Sequence, residues 1–252
     1  MSRVHRFAVI VAVLVGTTLA TVGTPGATAW AARPLAATAS VTAGARTEAR
    51  AAQVASDYTS IFAGQVPQLD GAGWAACPAP VTWSFDGRGL RPAVASTERA
   101  LLAKAFATWS AASGLTFQYS GDVPVTYRTS DYTAVPADGV SRSHHLYIGF
   151  LADAESDLIT RTNPGFGGPA PVAPGRPTID GGYAFFSTDY LTARGTSKAR
   201  ATNLMLHEIG HALGLGHAAR SANVMYSVVA AKTHLGAGDV RGVRSFTKPC
   251  AA

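Results

Sequence analysis

Three histidines and a glutamate with metal-binding spacing lie in one stretch near the C-terminal end of the 252-residue chain. The stretch reads His207-Glu208-Ile209-Gly210-His211-Ala212-Leu213-Gly214-Leu215-Gly216-His217. His207 and His211 are four positions apart, so on a helix they project from one face about one turn apart, at a separation that one zinc ion bridges. The spacing therefore predicts a helix, beginning near Thr196, that supplies two metal ligands.

Gly214 and His217 complete the predicted metal site. Gly214 permits a left-handed turn that ends the helix and brings His217 back as a third nitrogen ligand. Three neutral imidazoles leave the fourth position of a zinc ion open, which distinguishes a catalytic site from a closed structural one. Glu208, next to the first ligand, is placed to take a proton from a zinc-activated water that attacks a peptide carbonyl.

The pattern His-Glu-x-x-His-x-x-Gly-x-x-His resembles the zinc signature of the metzincin clan. Eight residues after His217, Met225 stands in a segment that is similar to the Met-turn, whose methionine forms a hydrophobic floor beneath the zinc. Within the clan the chain is most similar to the matrixins, over roughly residues 80–246. The resemblance rests on the short spacer to Met225, on residues 105–110 and 115–117, and on residues 235–243, with Asp239 near the N-cap of a last helix.

The matrixin resemblance implies a secreted zinc endopeptidase that binds a protein or peptide substrate extended along an edge strand. Animal matrixins also hold a second, structural zinc and calcium ions in the loop before the zinc helix. No histidine lies between His145 and His207, so we expect no structural zinc. Calcium stays open, with Asp153, Asp157 or Asp180 as ligands, although isolated Asp residues are more often solvated surface groups. We interpret the remaining histidines of this region as surface or packing residues: His144, His145 and His234.

The elements that must position the site follow from residue patterns. A long amphipathic helix is predicted from Pro92 to a stop at Gly114. Strands are predicted over residues 81–85, 115–119, 123–128, 145–150 and 183–187, and a Gly- and Pro-rich surface loop over residues 163–182. The expected fold is α+β: a twisted, mostly parallel sheet of about five strands that carries both helices, then a small irregular C-terminal part with the Met-turn and a last helix.

The N-terminal region has the features of an export signal. Basic residues precede the apolar run 7–15, and small residues follow it, so residues 1–31 are predicted to be a signal peptide. The run is shorter than the roughly 20 residues of a membrane-spanning helix, although an uncleaved anchor is the alternative. Residues 32–73 are predicted to be a linker or short propeptide, within which residues 46–62 are compatible with a helix. The catalytic domain is assigned to residues 74–252.

Cys77 and Cys250 are the two cysteines of the chain. In an exported protein such a pair most often forms one disulfide, here closing a very long loop. The alternative is a Cys77 thiolate that caps the zinc of a latent proenzyme. The residues around Cys77 do not provide the Pro-Arg-Cys-Gly setting of such switches.

Composition and charge exclude several other classes of function. With 47% hydrophobic and 14% charged residues the chain can bury a core, so we expect a globular protein and a monomer. The net charge of +6 comes from scattered residues rather than a basic run, which argues against nucleic-acid binding. Two rival functions remain: a noncatalytic zinc-binding secreted module, and a carbohydrate-directed protein with an incidental metal site.

Overall fold

A computed structural model describes residues 57–63, 69, 71–76, 79–130, 133–170, 172 and 178–248 of the chain. The predicted signal peptide and both cysteines, Cys77 and Cys250, lie outside these residues. Among the helices that the structure describes, none has the length and apolar character needed to cross a membrane.

The described residues form nine strands and four α-helices. The strands are β1 (Gly73–Trp74), β2 (Val81–Asp86), β3 (Phe117–Asp122), β4 (Val125–Arg128), β5 (Thr133–Pro136), β6 (His145–Leu151), β7 (Gly165–Pro169), β8 (Thr178–Ile179) and β9 (Gly181–Ser187). The helices are α1 (Pro92–Ser113), α2 (Thr188–Thr192), α3 (Lys198–Ala212) and α4 (Ala237–Phe246).

Five strands form the central sheet, in the order β3-β2-β6-β9-β7. The first four strands run parallel, and β7 pairs with β9 in the antiparallel direction at the edge. Two small pairs, β1 with β8 and β4 with β5, complete the strands. This is the predicted α+β fold with a mixed, mostly parallel five-stranded sheet, so the fold prediction is confirmed.

The sheet buries different residues on its two faces. The main core lies on the face that carries α1 and α3, where side chains such as Trp109, Leu206 and Phe186 are fully buried. The opposite face has a smaller cluster packed beneath β4 and β5, formed by Val125, Tyr147, Ile159, Phe166, Tyr183 and Phe185. His145 lies fully buried on β6, with ring nitrogens 2.8 Å from Thr82 Oγ1 and 3.0 Å from Ser84 Oγ, as a packing residue would.

Helix α1 begins and ends where the sequence predicts. Pro92 occupies its first turn, where the missing N–H costs no hydrogen bond. Gly114 follows its last residue in the left-handed conformation, with φ of 79°. The apolar stripe of α1 faces α3, so this helix forms one wall of the core behind the histidine-bearing helix.

The predicted surface loop over residues 163–182 is wrong in part, because β7 and β8 lie within it. Gly165, Gly167, Gly168 and Pro169 belong to the edge strand β7, and Gly181 and Gly182 begin the interior strand β9. A Cβ atom at Gly167 would overlap the backbone of Glu208, and one at Gly165 would lie 3.0 Å from the Glu208 side chain. The glycines therefore allow the strand and the helix to approach closely here. The presence of Gly and Pro in the sequence does not by itself distinguish such a strand from a loop.

Helix α1 also buries a carboxyl group that has no compensating partner. The side chain of Glu98 is only 6% exposed, and its Oε2 has no hydrogen-bond partner among the described residues. Burial raises the pKa of Glu98 to about 7. A carboxyl whose pKa is raised on folding stabilises the fold below its unfolded-state pKa, and this stability is lost as pH rises through the folded-state value.

We therefore expect Glu98→Gln to gain stability relative to the wild type as pH rises. Between about pH 5 and about pH 8 the difference in unfolding free energy should shift by about 1–3 kcal/mol in favour of the variant. Urea unfolding of both proteins at the two pH values measures this difference in unfolding free energy. Glu155→Gln, at an exposed turn position, is the matched control and should follow the wild type. An equal difference at both pH values would contradict the prediction.

Candidate metal centre

Helix α3 carries the first two histidines of the motif into the protein interior. Ser197 caps its N-terminus by accepting a hydrogen bond from Arg200 N. The last turns of the helix are completely buried, and His207 and His211 are 1% and 2% exposed. The four-residue spacing places both rings on one face, with ring centroids 4.7 Å apart.

The end of α3 returns the chain toward these two rings. Gly214 has φ of 101°, in the left-handed region that favours glycine. Gly214 N donates to His211 O and Leu215 N donates to Gly210 O, both at 3.0 Å, which is a Schellman ending. His217 follows, and its ring centroid lies 5.3 Å from that of His207 and 4.9 Å from that of His211. The turn thus brings the third histidine to the first two.

Backbone carbonyl groups fix which nitrogen of each ring faces the centre. His207 Nδ1 lies 2.8 Å from Val224 O, and His211 Nδ1 lies 2.7 Å from Leu215 O. Because a carbonyl oxygen only accepts, both Nδ1 atoms carry the hydrogen, and both Nε2 atoms present a lone pair. These two Nε2 atoms are 3.1 Å apart.

Two facing lone pairs at this distance repel one another unless a cation lies between them. Tetrahedral zinc with Zn–N bonds of about 2.0–2.1 Å sets its nitrogen ligands about 3.3 Å apart, close to the observed separation. His217 Nε2 is buried and has no hydrogen-bond partner among the described residues. One ligand atom from each of the three histidines lies within 4.8 Å of the others. The donor set therefore fits a zinc ion.

Burial keeps the three imidazoles neutral, as metal ligands must be. It lowers the pKa of His207 to about 4, and it lowers the pKa of His211 well below its usual value. The pKa of His217 is lowered by the same cause. At neutral pH none of the three rings needs to lose a proton before it binds a metal ion.

Glu208 lies between α3 and the edge strand β7. It is 3% exposed, and burial raises its pKa to about 8. The glycines at positions 165 and 167 allow β7 to approach it closely. A carboxyl group in such an apolar position, next to His207 in the chain, can take up and release a proton near neutral pH.

Met225 forms part of the layer beneath the histidines. It is buried, and a Cβ atom at Gly210 would overlap its sulphur, so the thioether lies against the helix between His207 and His211. Ala218 N donates to Met225 O at 2.8 Å, which joins the segment after His217 to the turn that carries the methionine. The structure thus brings His207, His211 and His217 together, with Gly214 at the turn between the last two, Met225 against the same helix and Glu208 where α3 approaches β7.

Comparison with known proteins identifies the family to which the chain belongs. The family model described as Matrixin matches residues 74–247. The chain is a matrixin. This matrixin is 36% identical to stromelysin-1 of Rattus norvegicus over 112 residues and to stromelysin-1 of Mus musculus over 109 residues. The alignments cover 41% and 40% of the chain but 22% of each relative, so the chain spans about a fifth of the proteins it matches.

The matrixins are a family of zinc-dependent metalloendopeptidases, which agrees with the donor set described above. Calcium has less support in this matrixin. Among the described residues, the three histidines are the only group of three or more His, Cys, Asp or Glu side chains that converge. Asp153 instead accepts from Ser187 Oγ, and Asp180 accepts from His144 N, in separate places. Calcium binding through Asp153, Asp157 or Asp180 stays a prediction.

The Met-turn of this matrixin is held by a carboxylate that the sequence analysis placed only near a helix N-terminus. Asp239, buried in the first turn of α4, accepts from Val224 N (2.6 Å), Met225 N (3.1 Å) and Gly236 N (2.7 Å). Val224 also supplies the carbonyl that orients His207. Asp239 therefore connects α4 through the Met-turn to the first histidine.

Two tryptophan side chains also hold the histidine-bearing helix. Trp109 Nε1 on α1 donates to Leu206 O at 3.0 Å, and Trp74 Nε1 on β1 donates to Ala212 O at 2.9 Å. Sequence reasoning placed Trp109 in the core stripe of α1 but did not identify its partner. The sequence did indicate that such a partner exists, because a buried indole N–H needs a hydrogen-bond acceptor.

We expect Asp239→Ala to destabilise the fold by about 2–4 kcal/mol, because three buried backbone N–H groups lose their acceptor. Urea unfolding of the metal-free protein measures this loss. Asp138→Ala, which removes one partner of the surface ion pair with Arg142, is the control and should have a much smaller effect. Equal effects of the two substitutions would show that the Asp239 contacts do not hold the turn.

Proposed function

We propose that this matrixin is a secreted zinc endopeptidase, with one catalytic zinc held by His207, His211 and His217 and with Glu208 as general base. The observation that carries the proposal is the convergence of the three imidazoles on one point. Two of them have Nδ1 tied to backbone carbonyls, so Nε2 is left to bind metal. Membership of the matrixin family supports the same activity.

In the proposed reaction the metal and Glu208 have separate roles. Zinc, when bound, supplies Lewis-acid chemistry that activates water and polarises the scissile carbonyl. Glu208 takes the proton that the attacking water loses and later delivers it to the leaving amine. Burial raises the pKa of Glu208, so its carboxylate is a stronger base than a solvent-exposed one and can hold the proton between these two transfers.

The register of the edge strand supports a specific docking mode for the substrate. Ala170 N donates to Gly181 O, and Ser187 N donates to Pro164 O, so the even-numbered residues from 164 to 170 direct their backbone groups toward β9. In an antiparallel pair the intervening residues direct theirs away from the partner strand. Gly165 and Gly167, which are buried in this structure, therefore direct their N–H and C=O groups away from β9, and on that side we propose that an extended peptide pairs with β7.

Pro169 limits this docking surface to a short length. It occupies the next outward position on β7, and it has a carbonyl to offer but no N–H. A peptide paired along β7 can thus form main-chain hydrogen bonds with Gly165 and Gly167, and the ladder loses a donor at Pro169. Backbone pairing of this kind gives affinity that depends little on substrate sequence.

Replacement of Glu208 distinguishes the enzyme from the noncatalytic zinc-binding module. We expect Glu208→Gln to reduce kcat/KM for casein-derived peptides by about 10²–10⁴-fold, because the proton acceptor is lost. The zinc content of the purified variant should stay at one ion per chain, since Glu208 is not a ligand. Glu155→Gln is the control and should cleave like the wild type. Zinc binding without cleavage by the wild type would favour the noncatalytic module.

Export through residues 1–31 is a separate part of the proposal, and it rests on the sequence of that segment. The proposal predicts that a host expressing the full chain releases it into the medium with the signal removed. Protein sequencing of the released N-terminus tests this. A product that keeps residue 1 and stays with the membrane fraction would indicate the uncleaved anchor instead.

A disulfide between Cys77 and Cys250 is also proposed, on the basis of the residues that precede them. Ala75 and Lys248 form a parallel bridge, with Ala76 N donating to Lys248 O at 3.0 Å and Lys248 N donating to Trp74 O at 2.8 Å. Cys77 and Cys250 each follow this bridge by two residues in the sequence, which supports their pairing.

We expect the secreted protein to carry this disulfide. Its formation transfers two electrons and two protons from the thiols to a disulfide of a thiol-exchange protein. Alkylation of the denatured protein should label no cysteine before reduction and two after it, as intact mass measures. Reduction should lower the unfolding free energy by about 2–5 kcal/mol. Two labels without reduction would show that both thiols are free.

A further inference from the structure

Residues 57–63, which precede the part of the chain that matches the matrixin model, dock against the metal centre. We call them the docking segment. Sequence analysis placed them in a linker or propeptide with a helix-compatible composition, but the structure shows turns and a β-bridge rather than a helix. Ile61 and Phe62 are buried in the main core. The docking segment is therefore packed as part of the domain.

The docking segment pairs with the stretch that links the second and third histidines. Ser60 forms an antiparallel bridge with Leu215. On either side of it, Ile61 N donates to Gly214 O at 2.9 Å, and Gly216 N donates to Thr59 O at 2.8 Å. Leu215 is also the residue whose carbonyl orients His211. The pairing therefore fixes the backbone that sets the direction of one imidazole.

Thr59 extends the pairing to the third histidine. Its Oγ1 donates to the backbone carbonyl of His217 at 2.9 Å. The His217 ring has no hydrogen bond that orients it among the described residues, unlike the rings of His207 and His211, which bond to carbonyl groups. The hydroxyl of Thr59 is therefore the described side-chain contact that restrains the backbone of His217.

The surface beneath the docking segment is shaped to receive it. A Cβ atom at Gly216 would lie 2.5 Å from Thr59 Oγ1, and one at Gly242 would lie 2.9 Å from Tyr58 Cβ. One at Gly238 would overlap Asp57 O. Three glycines from two parts of the fold thus leave room for residues 57–60 of the docking segment.

Charge and hydrogen bonds fix the start of the docking segment. Asp57 is buried and forms ion pairs with Arg220 Nε at 2.9 Å and with Arg241. Asn223 Nδ2 donates to Asp57 O at 3.1 Å, while Asn223 Oδ1 accepts from Gly238 N. One carboxylate thus joins the segment after His217 to helix α4.

From these contacts we infer that the docking segment helps to hold the metal-binding histidines in place. Within it, Thr59 is a positioning residue for His217. The mature enzyme then begins at or before Asp57, and a cut between the docking segment and residue 74 weakens zinc binding rather than activating the enzyme. This inference rests on the proposed role of the three histidines as zinc ligands.

Full-length variants at Thr59 test the inference. Thr59→Val removes the hydroxyl and keeps the shape of the side chain, whereas Thr59→Ser keeps the hydroxyl. Thr108→Val removes a similar hydroxyl bond, to Lys104 O on the exposed side of α1, and is the matched control. The readouts are the rate of zinc release to a chromophoric chelator, the visible spectrum of the Co²⁺-loaded protein, and the melting temperature of the metal-free protein.

The inference predicts that Thr59→Val releases zinc about 3- to 10-fold faster than the wild type. Its Co²⁺ spectrum should shift, and Thr59→Ser should restore both properties. Thr108→Val should release zinc like the wild type. The inference is overturned if Thr59→Val and Thr108→Val match in zinc release and Co²⁺ spectrum, whatever their melting temperatures. It is also overturned if the fully active secreted enzyme begins after residue 63.

The same experiment separates a failure of the inference from a failure of the proposed function. If the wild type binds neither Zn²⁺ nor Co²⁺, the assignment of the three histidines is wrong, and the inference falls with it. If the wild type binds both ions and substitution of Thr59 changes nothing, the zinc site stands and only the role of the docking segment is refuted.

Discussion

The metal centre depends on hydrogen bonds from two imidazole rings to backbone carbonyl groups. A histidine can turn either nitrogen toward a metal, and the hydrogen bond made by one nitrogen decides the role of the other. Val224 O and Leu215 O set this choice for His207 and His211. Each carbonyl belongs to a segment that is itself fixed, one by Asp239 and one by the bridge to Ser60.

This dependence explains why so much of the fold is arranged around one helix. Trp109 and Trp74 bind carbonyls of α3, the glycines of β7 lie against it, and the sulphur of Met225 lies against Gly210. Buried imidazoles and a buried carboxyl are costly to desolvate, so their positions must be maintained by the surrounding packing. The sheet, α1 and the Met-turn supply that packing.

The sequence was sufficient to predict the parts of this arrangement that depend on local spacing. The His207 to His217 run, the end of α3 at Gly214 and the stop of α1 at Gly114 each follow from helix geometry and glycine conformation. The fold class followed from the alternation of strands and helices, together with the resemblance to matrixins.

Contacts between distant residues were not predictable in this way. The bonds from Asp239 to Val224 and from Thr59 to His217 join residues whose types are common at helix starts and in polar linkers. Strand β7 was missed because glycine has two opposite uses, to bend a chain and to let two backbones approach. Only the position of Glu208 shows which use applies at Gly167.

The edge strand β7 also bears on self-association between copies of the chain. A peptidase that binds substrate by strand addition must leave one edge of its sheet unpaired, and such edges promote self-association between copies. Here the outward N–H groups of β7 are confined to Gly165 and Gly167, and the chain reaches Pro169 within one further outward position. Two glycines and a proline thus keep short the part of this edge that could pair with a strand of another molecule.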